Sequence, residues 1–413
     1  MNRRVFIKTM GAGAVGFLLG GCDFKAPLSS VTSDSTLAVD KNGPTFSGKI
    51  EYRTMPRISE KISTIGLGAS ALQESSASQI EKMIVYSSEQ GINLIDTVMS
   101  QFGPAEAIGR ALKGRRDKIM TQLHIGVTYP SQTYTRTRDL KQVQQGFEQQ
   151  LKGFGTDYSD IGLIHYVDEP EDFEKVISAG ILDYAQKLKR DGTIRYLGFS
   201  SHSADIAHRF LATGVIDIFM FSLNPAYDFV PVEGKLKLSE ERRRLYQEAE
   251  KRGAAITVMK AYGGGRLLSD ASSPFGRAMS VPQCIQYALD RPGVISCLPG
   301  VRNMDDLTAV LAYYNSTKEE RDYSFIASAQ HQDMNGVCIY CNHCQPCPYG
   351  IDIGAVNKYL DLAKSGDELA KDHYLKLRRT ARDCSYCGEC VPRCPFHVDI
   401  RNRMREANQF FGR

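Results

Sequence analysis

Residues 192–200 read GTIRYLGFS, a glycine turn followed by a β-branched and aromatic run that ends on a hydroxyl side chain. We interpret this run as one of eight short strands, each bounded by turn residues and followed by a helix-spaced stretch. The predicted strands are Ile62–Leu67, Ile92–Val98, Lys118–Ile125, Asp160–Val167, Ile194–Ser200, Ile216–Leu223, Ala254–Lys260 and Val294–Leu298. The helix spacing of three and four is illustrated by Leu140, Val143, Phe147, Leu151 and Phe154.

The order of these elements predicts an α/β fold. Eight strand–helix units in about 255 residues match the size and order of a (β/α)8 TIM barrel, which we place at residues 48–325. The alternative is a doubly wound open sheet, which more often has a glycine-rich phosphate loop after its first strand. Residues 66–70 read GLGAS and do not match that motif.

Polar residues stand where most of the predicted strands end. In a barrel, catalytic groups lie at the carboxyl ends of the strands. The residues at those positions are Asp96, Gln122, His124, His165, Ser200, Ser201, His202, Asn224 and Lys260. Gln122 and His124 are two residues apart, so they face the same side of their strand. We take Asp96, Gln122, His124 and His165 as the candidate catalytic residues.

Composition separates the chain into a large body and a small cysteine-rich module. The 413 residues are 42% hydrophobic and 24% charged, which suits a globular protein with a sizeable core. A net charge of +4 argues against a dedicated nucleic-acid partner. Of the 11 Cys, eight lie between Cys338 and Cys394. A disulfide scaffold would spread them through the chain, so this clustering favours a metal module.

The module contains two related motifs, CIYCNHCQPC from Cys338 and CSYCGECVPRC from Cys384. Cys-x2-Cys-x2-Cys followed by a fourth Cys before Pro is typical of two-cluster ferredoxins, in which the fourth Cys ligates the other cluster. The first motif is one residue shorter before its fourth Cys. We therefore assign two [4Fe-4S] clusters, one on Cys338, Cys341, Cys344 and Cys394, the other on Cys384, Cys387, Cys390 and Cys347. Zinc and disulfides are the alternatives, although zinc ribbons use pairs of Cys-x2-Cys.

The stretch between the motifs has helical spacing over Ile353–Leu362 and Glu368–Arg379. It predicts a small α-helical, two-cluster ferredoxin-like domain over residues 326–413. Arginines are frequent there, and they either dock an acidic redox partner or offset the charge of the thiolates.

The first 21 residues have the pattern of an export signal. Residues 3–8 read RRVFIK and precede a short apolar stretch, which resembles a twin-arginine signal for export of folded proteins. Leu19-Gly20-Gly21-Cys22 resembles a lipobox, which implies lipidation of Cys22, with plain signal cleavage as the alternative. Residues 22–47 are predicted to be a flexible tether. This reading places the protein on the periplasmic side of the inner membrane, held by a lipid anchor.

The barrel region resembles the aldo/keto reductase family over roughly residues 48 to 316. The resemblance rests on Tyr52-Arg53, Ile65–Gly68, Gly91–Thr97, Glu106–Leu112, Leu163–His165 and Gly192–Ser200. It implies a catalytic Asp, Tyr, Lys and His, of which Asp96 matches the Asp and His165 the His. Phe102 and Gln122 stand where the resemblance implies the Tyr and the Lys. Phe has no acidic proton and Gln has no charge, so the family's usual proton transfer is in question.

The resemblance also implies contacts with NADP(H), for which Ser200, Asn224 and Arg302 are the candidates. Our leading hypothesis is instead an oxidoreductase that passes electrons through the clusters to or from a small-molecule substrate at the barrel mouth. A redox partner protein or a membrane redox partner would exchange electrons with the clusters. The other hypotheses are a non-catalytic electron carrier or binding protein with a vestigial barrel, and an NADPH-dependent carbonyl reductase.

Overall fold

The computed structural model describes residues 48–72, 75–99, 101–232, 235–328, 336–338, 340, 344–364, 370–394 and 396–412. The predicted signal, the tether with Cys22, and the predicted cluster ligand Cys341 lie outside these residues. Within them, no helix combines the length and apolar character needed to cross a membrane.

A single parallel sheet of eight strands forms the centre of the described chain, and its strands are hydrogen-bonded in the order in which they follow one another along the sequence. Parallel bridges from Ile65 to Cys297 and from Gly68 to Gly300 join the first strand region to the last, so the sheet closes on itself. The predicted TIM barrel is therefore confirmed. The strands are β3 (Leu67–Gly68), β4 (Leu94–Asp96), β5 (Met120–Ile125), β8 (Ser159–Ile164), β9 (Ile194–Ser201), β10 (Ile218–Ser222), β13 (Ala255–Met259) and β14 (Val294–Cys297).

The first predicted strand was misplaced. Ile58–Ser63 (β2) pairs antiparallel with Tyr52–Met55 (β1) in a hairpin, and the barrel strand begins only at Leu67. Ile58 and Ile62 are buried in the interior cluster of the barrel, with Met55 packed against it, so the hairpin closes one end. An apolar strand across the end of a barrel has the same composition as a strand of its wall, so sequence pattern does not separate the two.

Helices surround the sheet and bury one face against it. They are α1 (Ala69–Leu72), α2 (Ala77–Gln90), α3 (Pro104–Leu112), α4 (Leu140–Gly153), α5 (Pro170–Ser178), α6 (Ile181–Arg190), α7 (Ala204–Ala212), α8 (Pro225–Asp228), α9 (Glu240–Arg252), α10 (Val281–Leu289), α11 (Met304–Leu311) and α12 (Lys318–Arg321). Capping boxes at Ser76, Ser280 and Thr317 satisfy the first backbone N–H groups of α2, α10 and α12. The predicted face of α4 is buried, with Val143 and Phe147 fully inaccessible.

Two antiparallel hairpins interrupt the strand–helix alternation. The first, β6 (Val127–Thr128) and β7 (Thr135–Arg136), lies between β5 and α4. The second, β11 (Phe229–Val232) and β12 (Lys235–Leu238), lies between α8 and α9. The first of these hairpins contributes to the candidate site.

Gly198, within the stretch at residues 192–200, shows how closely the wall strands pack. A Cβ atom on Gly198 would lie 1.9 Å from the carbonyl oxygen of Ile218 and 2.7 Å from Leu163 Cδ2. No side chain fits at that distance, so the approach of β9 to β10 requires glycine.

The C-terminal region is helical and has its own core. Its helices are α13 (Ile353–Lys364), α14 (Ala370–Leu375) and α15 (Ile400–Phe411), and the rings of Tyr374 and Phe411 stack with centroids 3.9 Å apart. Helix α14 is shorter than the predicted Glu368–Arg379, because the chain turns after Leu375 and Thr380 caps a 3-10 turn at Ala381–Asp383. Other 3-10 segments are Pro130–Gln132, Gly263–Leu268, Ala312–Asn315 and Ser324–Ser328.

Candidate functional site

Four polar residues predicted from strand ends meet at the mouth of the barrel. Asp96 ends β4, Gln122 and His124 are alternate residues of the neighbouring β5, and His165 follows β8, the next strand in the sheet. All four are buried, with His165 the most accessible at 8%. The order of the strands therefore accounts for their convergence.

These side chains form a continuous chain of hydrogen bonds. Asp96 Oδ1 lies 2.7 Å from His124 Nε2. His124 Nδ1 lies 2.8 Å from His165 Nδ1, and His165 Nε2 lies 2.8 Å from the Tyr134 hydroxyl. The chain runs from the buried Asp96 to the partly exposed Tyr134.

Tyr134 was not among the predicted site residues. It lies in the hairpin between β5 and α4, directly before β7. Two backbone contacts hold this segment against the loop after β4: a bridge from Gln101 to Thr133, and the Phe102 N–H, which donates to the Gln132 carbonyl at 3.0 Å. Because Tyr134 is not at a strand end, no spacing rule could have singled it out.

The burial of this chain fixes the protonation of two of its members. Burial, with further contributions from His124, Arg138, Arg136 and His202, holds the pKa of His165 well below 6.5, so its ring is neutral at pH 7. Burial also raises the pKa of Tyr134 to about 12, although Arg136 and Arg138 oppose that shift. Tyr134 therefore carries its proton at neutral pH and can donate it.

The two positions that depart from the family resemblance have clear structural roles. The Gln122 amide donates to Asp96 Oδ1 at 2.9 Å, and its oxygen accepts from Thr257 at 3.2 Å, so Gln122 spans the inside of the barrel. The Phe102 ring lies 4.9 Å from that of Tyr129, and it fills the space that a side chain at Gly153 of α4 would occupy. Phe102 thus packs in the layer between sheet and helices.

The three candidate cofactor contacts bind other parts of the protein. The Ser200 hydroxyl accepts the backbone N–H of Tyr166 at 2.8 Å. The Asn224 amide donates to the Lys260 carbonyl at 2.8 Å, and its oxygen accepts the N–H of Tyr227 at 3.2 Å as the cap of α8. Arg302 is on the surface and pairs with Asp306 at 2.8 Å. Through Tyr166, Ser200 thus lies beside His165 of the hydrogen-bonded chain, whereas Arg302 is on the surface.

Tyr166, the residue after His165, adopts a left-handed backbone conformation with φ of +45°. Such a conformation is costly for a tyrosine and persists only where its surroundings impose it. Its carbonyl accepts from Arg136 at 2.7 Å and from Arg138 at 2.9 Å, while Ser200 holds its N–H. These bonds hold the Tyr166 backbone in that conformation, and its ring lies 5.7 Å from that of His202.

The cysteine module holds the second predicted ligand set around one pocket. The pocket encloses about 370 Å³ of space, part of it open to solvent, and its lining includes Cys347, Cys384, Cys387 and Cys390. Cys347 comes from the first motif and the other three from the second, as the crossed assignment requires. Burial raises the pKa of Cys390 to about 11, and the three neighbouring thiols add to that shift. Thiols this close need positive charge to be held as thiolates, which iron supplies.

Local geometry of the two motifs is also alike. Tyr340 and Tyr386 occupy the same place in Cys-x-Tyr-Cys, and both have positive φ, +58° and +59°. The Tyr386 N–H lies 3.4 Å from Cys384 Sγ. Hydrogen bonds of this kind to the sulfurs help to set the reduction potential of iron–sulfur clusters. Of the first ligand set, Cys338, Cys344 and Cys394 are described, and Cys341 lies outside the described residues.

The donor set fits a cluster better than a single ion. Among the described residues, no three His, Cys, Asp or Glu side chains are grouped closely enough to hold one metal ion. A zinc ion would need four ligands converging on one point, whereas the thiols of the second set stand around a pocket.

The module contacts the mouth of the barrel directly. The Tyr166 hydroxyl donates to the carbonyl oxygen of Arg393 at 3.1 Å, and Arg393 is the residue before Cys394. The rings of Tyr227, in α8, and Phe396, two residues after Cys394, lie 5.1 Å apart. The mouth residue His165 is therefore separated from the second cysteine motif by one side chain.

Comparison with known families agrees with both parts of the chain. The model of the aldo/keto reductase family matches residues 64–284, and that of a 4Fe-4S dicluster domain matches residues 337–399. The chain belongs to the aldo/keto reductase family. It combines an aldo/keto reductase barrel with a 4Fe-4S dicluster domain in its C-terminal part.

Individual relatives are distant. "Protein tas" of Escherichia coli (strain K12) is 26% identical over 192 residues, which is 39% of this chain and 55% of that protein. The NADH-specific methylglyoxal reductase of Escherichia coli (strain K12) is 28% identical over 141 residues, 31% of this chain and 43% of that protein. The chain thus matches about half the length of these relatives. The structure of aldo-keto reductase AKR11C1 from Bacillus halodurans (holo form) is similar in fold, with a TM-score of 0.54, 20% identity, and 69% of this chain and 97% of that chain covered.

Proposed function

We propose that this protein is an exported iron–sulfur oxidoreductase in which electrons pass between two [4Fe-4S] clusters and a substrate at the barrel mouth. The observation that carries the proposal is the hydrogen bond from Tyr166 to the Arg393 carbonyl, which joins the mouth to the second cysteine motif. A carrier with an unused barrel has no need of that contact, and a reductase driven by NADPH alone has no need of clusters.

Each part of the chain has a definite task in this proposal. When bound by the two crossed sets of cysteines, the clusters would give or take single electrons. Tyr166 and the arginines that hold its backbone fix the module over the mouth. The hydrogen-bonded chain from Asp96 to Tyr134 orients the substrate and exchanges protons with it. Burial of Asp96, His124 and His165 limits competition from water.

The substrate class we propose is a small carbonyl compound. We infer this class from membership of the aldo/keto reductase family. Because one relative is a methylglyoxal reductase, methylglyoxal is the first compound to test.

The export part of the proposal rests on sequence alone. The twin-arginine pattern at residues 3–8 and the lipobox ending at Cys22 support a periplasmic, lipid-anchored protein. Export after folding would preserve clusters assembled in the cytoplasm. Cell fractionation with Cys22→Ala tests this part, since loss of lipidation should release the protein from membranes, whereas a variant that stays on the membrane would contradict it.

The central experiment follows cluster reoxidation. The protein is purified without oxygen and its iron and sulfide are counted, with about eight of each expected per chain. Chemically reduced protein is then mixed with methylglyoxal and with a panel of aldehydes, ketones and quinones, while cluster absorbance is recorded. We expect at least one carbonyl to reoxidise the clusters, about 100-fold more slowly in His165→Ala.

A matched control is His208→Ala, because His208 lies on α7 and bonds Glu248 on the outside of the barrel. His208→Ala should reoxidise at the wild-type rate. Equal rates in wild type and His165→Ala would favour the carrier, and rapid NADPH oxidation by protein without clusters would favour the ordinary reductase.

A further inference from the structure

We propose that Tyr134 is the residue that gives a proton to the carbonyl oxygen of the substrate, and that Asp96, His124 and His165 replenish it. This inference rests on the proposed function and assigns the proton donor that the family resemblance leaves missing at Phe102. It follows from the geometry of the mouth, in which three successive hydrogen bonds end on the one partly exposed member of the chain.

The hydrogen bonds can run in either of two directions. In one, Tyr134 donates to His165, His165 donates through Nδ1 to His124, and His124 donates through Nε2 to the Asp96 carboxylate. In the other, the Asp96 carboxyl donates to His124, His124 to His165, and His165 to the Tyr134 oxygen. The second direction contains one more proton and leaves the Tyr134 O–H free to point at a substrate.

The proton transfer converts the second direction into the first. The Tyr134 O–H bond breaks as the substrate O–H bond forms, and Tyr134 takes the Nε2 proton of His165. His165 takes the Nδ1 proton of His124, which takes the carboxyl proton of Asp96. One proton has left the chain, Asp96 is a carboxylate, both rings remain neutral, and no electron moves in this step.

The contact between the two imidazole rings suits this transfer. The two imidazoles meet Nδ1 to Nδ1 at 2.8 Å with ring centroids 4.8 Å apart, so one proton between them satisfies both nitrogens. The depressed pKa of His165 means that the proton passes by exchange of tautomers instead of being trapped on an imidazolium.

The surroundings of Tyr134 keep it a donor. The titratable and charged groups that act on it are His165, Arg136, Arg138, Asp172 and Tyr129. Arg138 forms a two-point ion pair with Asp172, at 2.7 and 2.9 Å. That pair offsets much of the guanidinium charge near Tyr134, so the hydroxyl keeps its proton until a substrate accepts it.

The test compares Tyr134→Phe with Tyr129→Phe. Tyr129 lies in the same segment, and Tyr129→Phe removes the same hydroxyl oxygen. The Tyr129 hydroxyl accepts from the Met99 N–H at 3.5 Å, however, and is not bonded to His165. With a reduced viologen dye as donor and the carbonyl probes as acceptors, Tyr134→Phe should lower kcat about 100-fold or more and leave KM and iron content unchanged. Tyr129→Phe should keep both kinetic constants. Wild-type kcat in Tyr134→Phe would overturn the inference.

A second readout does not depend on turnover. Nitrogen-15 NMR of histidine-labelled protein reports which ring nitrogens carry protons, and Tyr134→Phe should shift the His165 nitrogens while Tyr129→Phe should not. Unchanged His165 signals in Tyr134→Phe would also overturn the inference. If none of the probes reoxidises wild-type protein that has its full iron content, the proposed function fails. The histidine signals alone then decide whether the hydrogen-bonded chain transfers protons.

Discussion

The two candidate sites of this chain are assembled in opposite ways. The cysteine ligands come from two short segments, 338–347 and 384–394, and their spacing alone groups them. At the mouth, Asp96 lies on one strand, His124 on the next strand, His165 directly after a third strand, and Tyr134 in an inserted hairpin. A site specified by local spacing can be read from sequence, while a site assembled by tertiary structure needs the fold first.

The sites also differ in what they require to be stable. At the mouth each buried polar group satisfies another, so the hydrogen-bonded chain is complete within the protein. In the module pocket, burial raises the pKa of Cys390, and the neighbouring thiols of Cys384, Cys347 and Cys387 add to that shift, so their proximity gives no stability without a cation. We therefore expect the barrel to fold without iron and the module to depend on it.

The largest predicted effect concerns the crossed ligand sets. Replacing Cys390 with Ser should remove one cluster and lower iron from about eight to about four atoms per chain, because three thiolates hold a cluster poorly. Adding Cys347→Ser should cost no further iron, since both residues line the same pocket. Adding Cys394→Ser instead should bring iron close to zero. Colorimetric iron assay of anaerobic protein measures all three.

Cys284→Ala is the control, because Cys284 is buried in α10 within the barrel. It should retain the full iron content. If the Cys347 and Cys390 variant binds almost no iron, the ligand sets are not crossed and each motif holds its own cluster.

The second prediction addresses the barrel. Gly198→Ala places a methyl group 1.9 Å from the Ile218 carbonyl, so the wall must shift and the free energy of unfolding should fall by about 3 kcal/mol. Gly103→Ala is the control, because a Cβ there meets nothing within 4 Å. Urea unfolding followed by circular dichroism measures both. A loss of less than about 1 kcal/mol in Gly198→Ala would mean that the strands separate easily.

The same contrast explains what sequence could predict. Seven of the eight wall strands overlap their predicted ranges closely, because β-branched runs and turn glycines act locally. The exception is the wall strand at Leu67, which the hairpin strand Ile58–Ser63 mimics in composition. Asp96, His124 and His165 could be predicted to meet, since strand ends share one rim.

Tyr134 and Tyr166 could not be assigned their contacts from sequence. The position of Tyr134 depends on how a hairpin folds over the rim, and that of Tyr166 on a left-handed backbone imposed by Arg136, Arg138 and Ser200. Both depend on tertiary contacts that no local period encodes.

The third prediction is that acid weakens the barrel through its mouth. Burial keeps the pKa of the folded-state His165 well below 6.5, whereas the unfolded chain protonates near 6.5. Above that pH both states are neutral and His165 has no effect. As pH falls below it, the unfolded state binds the extra proton, and the free energy of unfolding should decrease by about 1 kcal/mol per pH unit.

The charged and titratable groups that act on His165 are His124, Arg138, Arg136 and His202, and its ring is hydrogen-bonded to Tyr134. Urea midpoints at several pH values measure the slope, and His165→Gln should flatten it. A slope that persists in His165→Gln would assign the acid sensitivity to another group.

The smallest predicted effect tests the contact that joins the two regions. Tyr166→Phe removes the hydroxyl that donates to the Arg393 carbonyl and keeps the ring, so the coupling of module to barrel should weaken by about 1 kcal/mol. Cluster absorbance and circular dichroism, followed in one urea titration, should then separate, with the module unfolding first. Tyr52→Phe is the matched control, because its hydroxyl also donates to a backbone carbonyl, that of Gly91, far along the chain from the cysteine motifs. Tyr52→Phe should shift both unfolding transitions together. If the two transitions of Tyr166→Phe also coincide, the contact between Tyr227 and Phe396 is by itself enough to hold the module on the mouth.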